Sequence, residues 1–301
     1  MPKICNKNLT VVFADDSNEV FSHKNPTELT HLVNEKLAKV KDYFDANGLS
    51  INTDKTTYLH FVPKNHKRTK LDIKFGNKNL KESDEIVFLG ITLDNKLSFN
   101  SQFKKIYNKM KKGLNGLTMS RNILDYRSKM NIYHSLIHSH LNYCAPIWIP
   151  NITKKQTKML QTLQKRAIRI IFNLKYNSHT SRYFQISKIT KVENIYEKES
   201  LLLAYKYKEN KLPNAIMNLF KSSIHEPTML TRSLNNCILR PNRGLKPGFI
   251  MYDILNFWNR SSSSLREEPT YTMFKRKINE NHNVFIECMK NNCYVCKNSR
   301  N

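Results

Sequence analysis

The sequence predicts an α+β fold, on three observations. Up to about residue 95, short β-prone runs alternate with turn-forming residues around a single amphipathic helix. From Phe99 onward the apolar spacing changes to a helical period and keeps it. Serine, asparagine, proline and glycine then gather between Lys221 and Gly248, which reads as a connection. These shifts divide the chain into 1–95, 96–220 and 221–301, the last ending in a basic tail.

Leu9 to Phe13 is a short apolar run, Ala14-Asp15-Asp16-Ser17 has turn chemistry, and Val20-Phe21 can return as a second strand. The result is a hairpin with two carboxylates at its tip. Leu29, Val33, Leu37, Val40 and Phe44 recur at spacings of three and four, one stripe of a helix that Asn47-Gly48 should stop. Short strands are expected at Leu49 to Ile51, Thr57 to Val62 and Ile86 to Leu93, divided by the basic loop Lys64 to Lys70 and by the Gly76 region.

Phe99, Phe103, Ile106, Met110, Leu114 and Leu117 form the first stripe of the helical part, and Met130, Tyr133, Ile137 and Leu141 the second. Pro146 and Pro150 interrupt before a third helix that opens near Lys154. At about 100° per residue, that helix gathers Lys154, Lys155, Lys158, Lys165, Arg166 and Arg169 within one third of its circumference. Met159, Leu160, Leu163, Ala167 and Ile170 occupy an adjoining arc, and Ile168 alone breaks the division. A solvated bundle face and a phosphate-binding face are both open readings of the cations. Helical segments continue from Glu193 to about Phe220 and resume after Gly248.

Charge narrows the function classes. The 301 residues carry 50 Lys and Arg against 24 Asp and Glu, a net charge of +26, which calls for a polyanionic partner or an anionic surface. No acid lies between Asp125 and Glu193, whereas twelve Lys and Arg do. A span so one-sided repels itself unless phosphates lie against it. No apolar run approaches the ~20 residues that span a bilayer, and no signal-peptide core opens the chain, so an intracellular protein without a membrane partner is expected. Cysteines at 5, 144, 237, 288, 293 and 296 do not form a disulfide framework, and most read as reduced thiols.

Several groups are chemically suggestive. His282, Cys288, Cys293 and Cys296 have a spacing that suits one tetrahedral zinc, with plain thiols as the competing reading. His134 and His138 share a helical face with His140 nearby, as metal ligands or as packed side chains. Trp148, Tyr143 and Tyr133 lie beside the basic region, as base-stacking groups or as core. Asp15-Asp16 offers two hard oxygen donors on one tight turn, which suits magnesium, although such turns also arise by chance.

Order adds specificity to the aspartates. Val11-Val12-Phe13-Ala14-Asp15-Asp16-Ser17, then a helix, then Asn47-Gly48-Leu49-Ser50-Ile51-Asn52-Thr53-Asp54-Lys55-Thr56, then Phe88-Leu89-Gly90-Ile91-Thr92-Leu93-Asp94 resembles the palm of a reverse transcriptase. Tyr133-His134-Ser135-Leu136-Ile137, Leu141 to Trp148, Leu160 to Arg169, and Trp258-Asn259 with Phe274-Lys275 are similar to elements of jockey-type non-LTR retrotransposon enzymes. The resemblance covers most of residues 9 to 280 and weakens after 221. It departs from the pattern at Phe13, where many relatives have tyrosine, and after Trp258-Asn259, where a serine run replaces Leu-Pro.

The resemblance implies the second half of a palm, a helical thumb and a C-terminal region. It implies RNA-directed DNA synthesis primed by nicked target DNA, with RNA template, DNA primer and dNTPs as partners. It implies magnesium at Asp15 and Asp16, two ions in the complete enzyme, Lys55 as proton donor to departing pyrophosphate, and the parent element at work in nucleus and cytoplasm. The first palm aspartate motif and the glycine-containing nucleotide motif should precede residue 1, so the expectation is a fragment inactive alone, with a noncatalytic nucleic-acid-binding remnant as the competing reading.

Overall fold

The computed structural model describes residues 9–62, 68–224, 239, 241–242, 244 and 249–280. They fall into two compact units, divided along the chain between Ser98 and Phe99, each described by itself below.

The first unit mixes strands and one helix. Strands β1 (Leu9–Phe13) and β2 (Asp16–Val20) pair antiparallel, with Phe13 opposite Asp16 and Val12 opposite Ser17. Helix α1 (Pro26–Ala46) opens with Asn25 accepting from the Thr27 amide at 2.9 Å and with proline in the first turn, where its missing N–H costs nothing. It ends as expected: Gly48 takes φ +67°, and the Leu49 amide closes onto the Phe44 carbonyl at 2.9 Å. Val33 of this helix packs with Leu71 and Ile73 in a small core bordered by Phe21, Leu29, Leu37, Tyr58 and Leu80. The Asn34 amide fixes the register of that packing, donating to the Asp72 carbonyl at 2.9 Å and accepting from the Lys74 amide at 2.8 Å.

Three strand expectations change. Leu49 to Ile51 is irregular, and just beyond it the Asn52 side chain and carbonyl capture the amides of Asp54, Lys55 and Thr56 in a turn. Of Thr57 to Val62 only β3 (Thr57–Tyr58) is strand, paired in parallel with β6 (Lys81–Glu82). Ile86 to Leu93 is two strands, β7 (Glu85–Phe88) and β8 (Ile91–Asp94), folded at Leu89-Gly90 with φ of 44° and 85°. Gly76 (φ +59°) is the turn of a further hairpin, β4 (Lys74–Phe75) and β5 (Lys78–Asn79).

The second unit is helical: α2 (Asn100–Met119), α3 (Tyr126–Tyr133), a π turn (His134–His138), α4 (Ser139–Asn142), α5 (Ala145–Trp148), α6 (Lys154–Ile171), α7 (Ser181–Ile186), α8 (Val192–Lys208), α9 (Asn214–Ser223), α10 (Ile250–Arg260), α11 (Ser263–Arg266) and α12 (Tyr271–Glu280). Phe103, Ile106, Met110, Leu114 and Leu117 are buried along α2, as their spacing predicts. The helix expected from Glu193 to Phe220 is broken before Pro213, which opens α9. One core joins both sides of residue 220: Leu201, Tyr205 and Phe220 pack with Leu255, Trp258 and Phe274.

Helix α2 meets the π turn closely at Gly113. A Cβ there would lie 2.8 Å from the Leu136 carbonyl oxygen and 2.9 Å from Ile137 Cγ1, whereas one at Gly116 would meet nothing within 4 Å. Gly113→Ala should therefore destabilise the unit by about 1–3 kcal/mol through overpacking. Gly116→Ala should stabilise it by up to about 1 kcal/mol through helix propensity. Thermal unfolding of the two variants checks the opposite signs.

Candidate functional site

The hairpin that carries the aspartates turns in two residues. Asp15 lies in the turn beside Ala14, whose φ of 52° lies in the left-handed region, while Asp16 is the first residue of β2. The four-residue tip expected from Ala14 to Ser17 is therefore shorter, because Phe13 and Asp16 already close the ladder. Both aspartates and the Phe13 ring are exposed. Lys55 is exposed on the turn capped by Asn52, and among the described residues no hydrogen bond or ion pair links it to either aspartate. No group of three or more His, Cys, Asp and Glu side chains suited to a metal gathers among the described residues.

The cations of α6 are the second candidate. Thr153 and Gln156 form a capping box that fixes where the helix starts: the Gln156 amide donates to Thr153 Oγ1 at 3.2 Å, and the Thr153 amide donates to Gln156 Oε1 at 2.8 Å. Lys154, Lys155, Lys158, Lys165 and Arg166 are all exposed, and none forms an ion pair among the described residues. Arg169 differs. It is half-buried, and its Nε donates to the Ser178 carbonyl at 3.0 Å, so it secures the following loop. Ile168, the apparent exception to the apolar arc, is fully buried because α6 packs against both α2 and α8.

The acid-poor span is longer than the interval from Asp125 to Glu193. Between Asp94 and Glu193 the chain has nineteen Lys and Arg and a single acid, Asp125. That carboxylate is engaged as the N-cap of α3, accepting from the Ser128 amide at 3.0 Å, and hydrogen bonds from the Ser128 side chain first and its amide second hold its pKa below the usual carboxylate value. Glu193 accepts from Gln161 Nε2 at 2.8 Å and lines a small cleft with Lys165, Lys191 and Ser181.

The histidines and aromatics sort differently. Tyr133 and Trp148 are fully buried, with Trp148 Nε1 donating to the Tyr143 carbonyl at 3.0 Å, so both are core and only Tyr143 is half exposed. The His138 ring stacks on Tyr133 with centroids 5.9 Å apart and meets His134 edge-on at 5.4 Å. Burial, with the Lys198 ammonium and His134 adding to it, holds the His138 pKa down to about 3. Folding thus suppresses protonation that the unfolded chain undergoes near pH 6.5. Stability present above that pH is expected to fall by up to about 1.4 kcal/mol per unit as the pH drops from ~6.5 toward ~3. His138→Asn should flatten that part of the curve in urea unfolding across the range. The cluster His282, Cys288, Cys293 and Cys296 lies outside the described residues.

No family model and no solved structure matches the chain. Among curated proteins, one described as a probable RNA-directed DNA polymerase from transposon BS, of Drosophila melanogaster, is 26% identical over 180 residues, covering 56% of this chain. The match takes in 19% of that protein, so the chain spans about a fifth of the relative's length. The similarity supports a relationship to that transposon RNA-directed DNA polymerase.

Proposed function

We propose that the chain is the nucleic-acid-holding part of a jockey-like non-LTR retrotransposon reverse transcriptase, in which the α6 face grips the phosphates of an RNA–DNA duplex during target-primed synthesis. The observation that supports this best is the span from Asp94 to Glu193, where nineteen cations face a single, already engaged acid and the exposed α6 cations lack ion-pair partners among the described residues. A face of this kind gains free energy by releasing counterions from a polyanion.

Asp15 and Asp16 fit a hard divalent cation that keeps most of its waters, because they offer two adjacent, exposed carboxylates. Magnesium would supply charge neutralisation at phosphate oxygens there. The two-ion centre needs further carboxylates, and the described residues gather none beside this pair. The same observation favours a second reading, a noncatalytic remnant that binds nucleic acid without extending it.

Primer extension on an RNA template with magnesium, with Asp15→Asn/Asp16→Asn as control and duplex binding measured in parallel, tests the proposal. Salt-sensitive binding without extension is the expected result. Extension abolished by the double substitution would overturn the inactivity of the isolated chain, and no binding at low salt would overturn the proposal altogether.

A further inference from the structure

Beyond the α6 face, the loop that follows it joins exposed aromatic rings to cations. The Tyr126, Phe172 and Tyr183 rings form a tilted ladder, with centroids 5.2 and 4.9 Å apart. Its outer member, Tyr126, is 46% exposed. Tyr176, near the tip of the loop, is 78% exposed and makes no ring contact among the described residues, so packing does not account for it.

Three cations hold this loop. Arg121 donates to the Leu174 carbonyl at 3.0 Å, Lys129 to Asn173 Oδ1 at 3.1 Å, and Arg169 to the Ser178 carbonyl at 3.0 Å. Each partner is a neutral oxygen, so each bond orders the loop without cancelling the positive charge. Lys175 beside Tyr176, Arg127 beside Tyr126 and Arg182 beside Tyr183 are exposed. A duplex presents phosphates but keeps its bases stacked inside, whereas a single strand offers both a phosphate and a free base face. Aromatic groups interleaved with unneutralised cations match the second.

We propose that the loop after α6, with Tyr126 and Tyr176, is a stacking platform for unpaired bases of single-stranded nucleic acid, distinct from the duplex-gripping face of α6. The proposal rests on the nucleic-acid-binding reading above and extends it to a strand beyond the duplex.

The test measures fluorescence anisotropy of labelled oligouridylate and of an RNA–DNA duplex with the full chain and with Tyr176→Ala, Tyr176→Phe and Tyr126→Ala. Tyr176 is exposed enough that its substitution should leave folding intact, and circular dichroism checks that it does. Tyr176→Ala should weaken single-strand binding roughly tenfold, with Tyr176→Phe close to the parent and duplex affinity unchanged. Equal single-strand affinity of the parent and both alanine variants would overturn the platform while leaving the α6 reading intact. So would a parallel loss on both probes. If the unsubstituted chain binds neither probe, both readings fall, and the exposed rings become a candidate protein-docking surface.

Discussion

Replacing Lys154, Lys155 and Lys158 together by glutamine is expected to lower the affinity of the chain for a nucleic-acid duplex by about a thousandfold at ~0.1 M salt. The estimate follows from counterion release. Each phosphate contact contributes about 0.9 to the slope of log affinity against log salt on B-form DNA, hence about 0.9 of a decade at ~0.1 M. Three contacts then amount to nearly three decades, and the slope itself should fall by between two and three. All three side chains are exposed and none pairs with an acid among the described residues, so stability should hardly change. Fluorescence anisotropy across a salt series checks both quantities. A loss of affinity with an unchanged slope would mean that the lysines act through structure and not through phosphates.

The second large effect concerns Gln164, which is 1% exposed in the core of the helical unit. Its Nε2 donates to the Tyr133 hydroxyl at 2.9 Å and to the Thr190 carbonyl at 2.8 Å, while its Oε1 accepts from the Val192 amide at 3.1 Å. One side chain thus ties α6 to α3 and to the start of α8. Gln164→Ala leaves a buried hydroxyl, a carbonyl and an N–H without these partners and opens a cavity. We expect a loss of roughly 3–5 kcal/mol, measured by urea unfolding. Gln161→Ala, at a half-buried position bonded to Glu193, should cost well under 1 kcal/mol. Similar losses at the two positions would contradict the role assigned to the buried amide.

Much of the architecture was legible because local signals agreed with one another. The α1 stripe ends at Asn47-Gly48, and α6 starts at Thr153 with Gln156 three residues on, so periodicity and capping point to the same boundaries. The hairpin at Leu89-Gly90 was less legible because its first turn residue is leucine, a residue that seldom adopts positive φ. Gln164 and Ile168 were hidden for a different reason. The wheel of α6 shows which residues share an arc, but only the presence of neighbours on two sides shows how wide the buried arc is.

The candidate site was legible in part. Composition isolated the acid-free span, and the structure leaves five of the six α6 cations exposed. It withdrew Arg169 into loop support, and Trp148 and Tyr133 into the core, where burial of a large ring outweighs any exposed role. Tyr126 and Tyr176, two of the rings that face outward, carry no distinguishing sequence signal, because the loop after α6 is held by Arg121 and Lys129 from far along the chain.

The most direct measurement is lysine footprinting of the full chain by acetylation and mass spectrometry, with and without a saturating RNA–DNA duplex. If the helical unit holds the duplex through α6, then Lys154, Lys155, Lys158 and Lys165 become protected, while Lys39 and Lys41 of α1 label as before. Equal labelling of the α6 lysines in the free and bound chain, under conditions where binding is complete, would contradict the account.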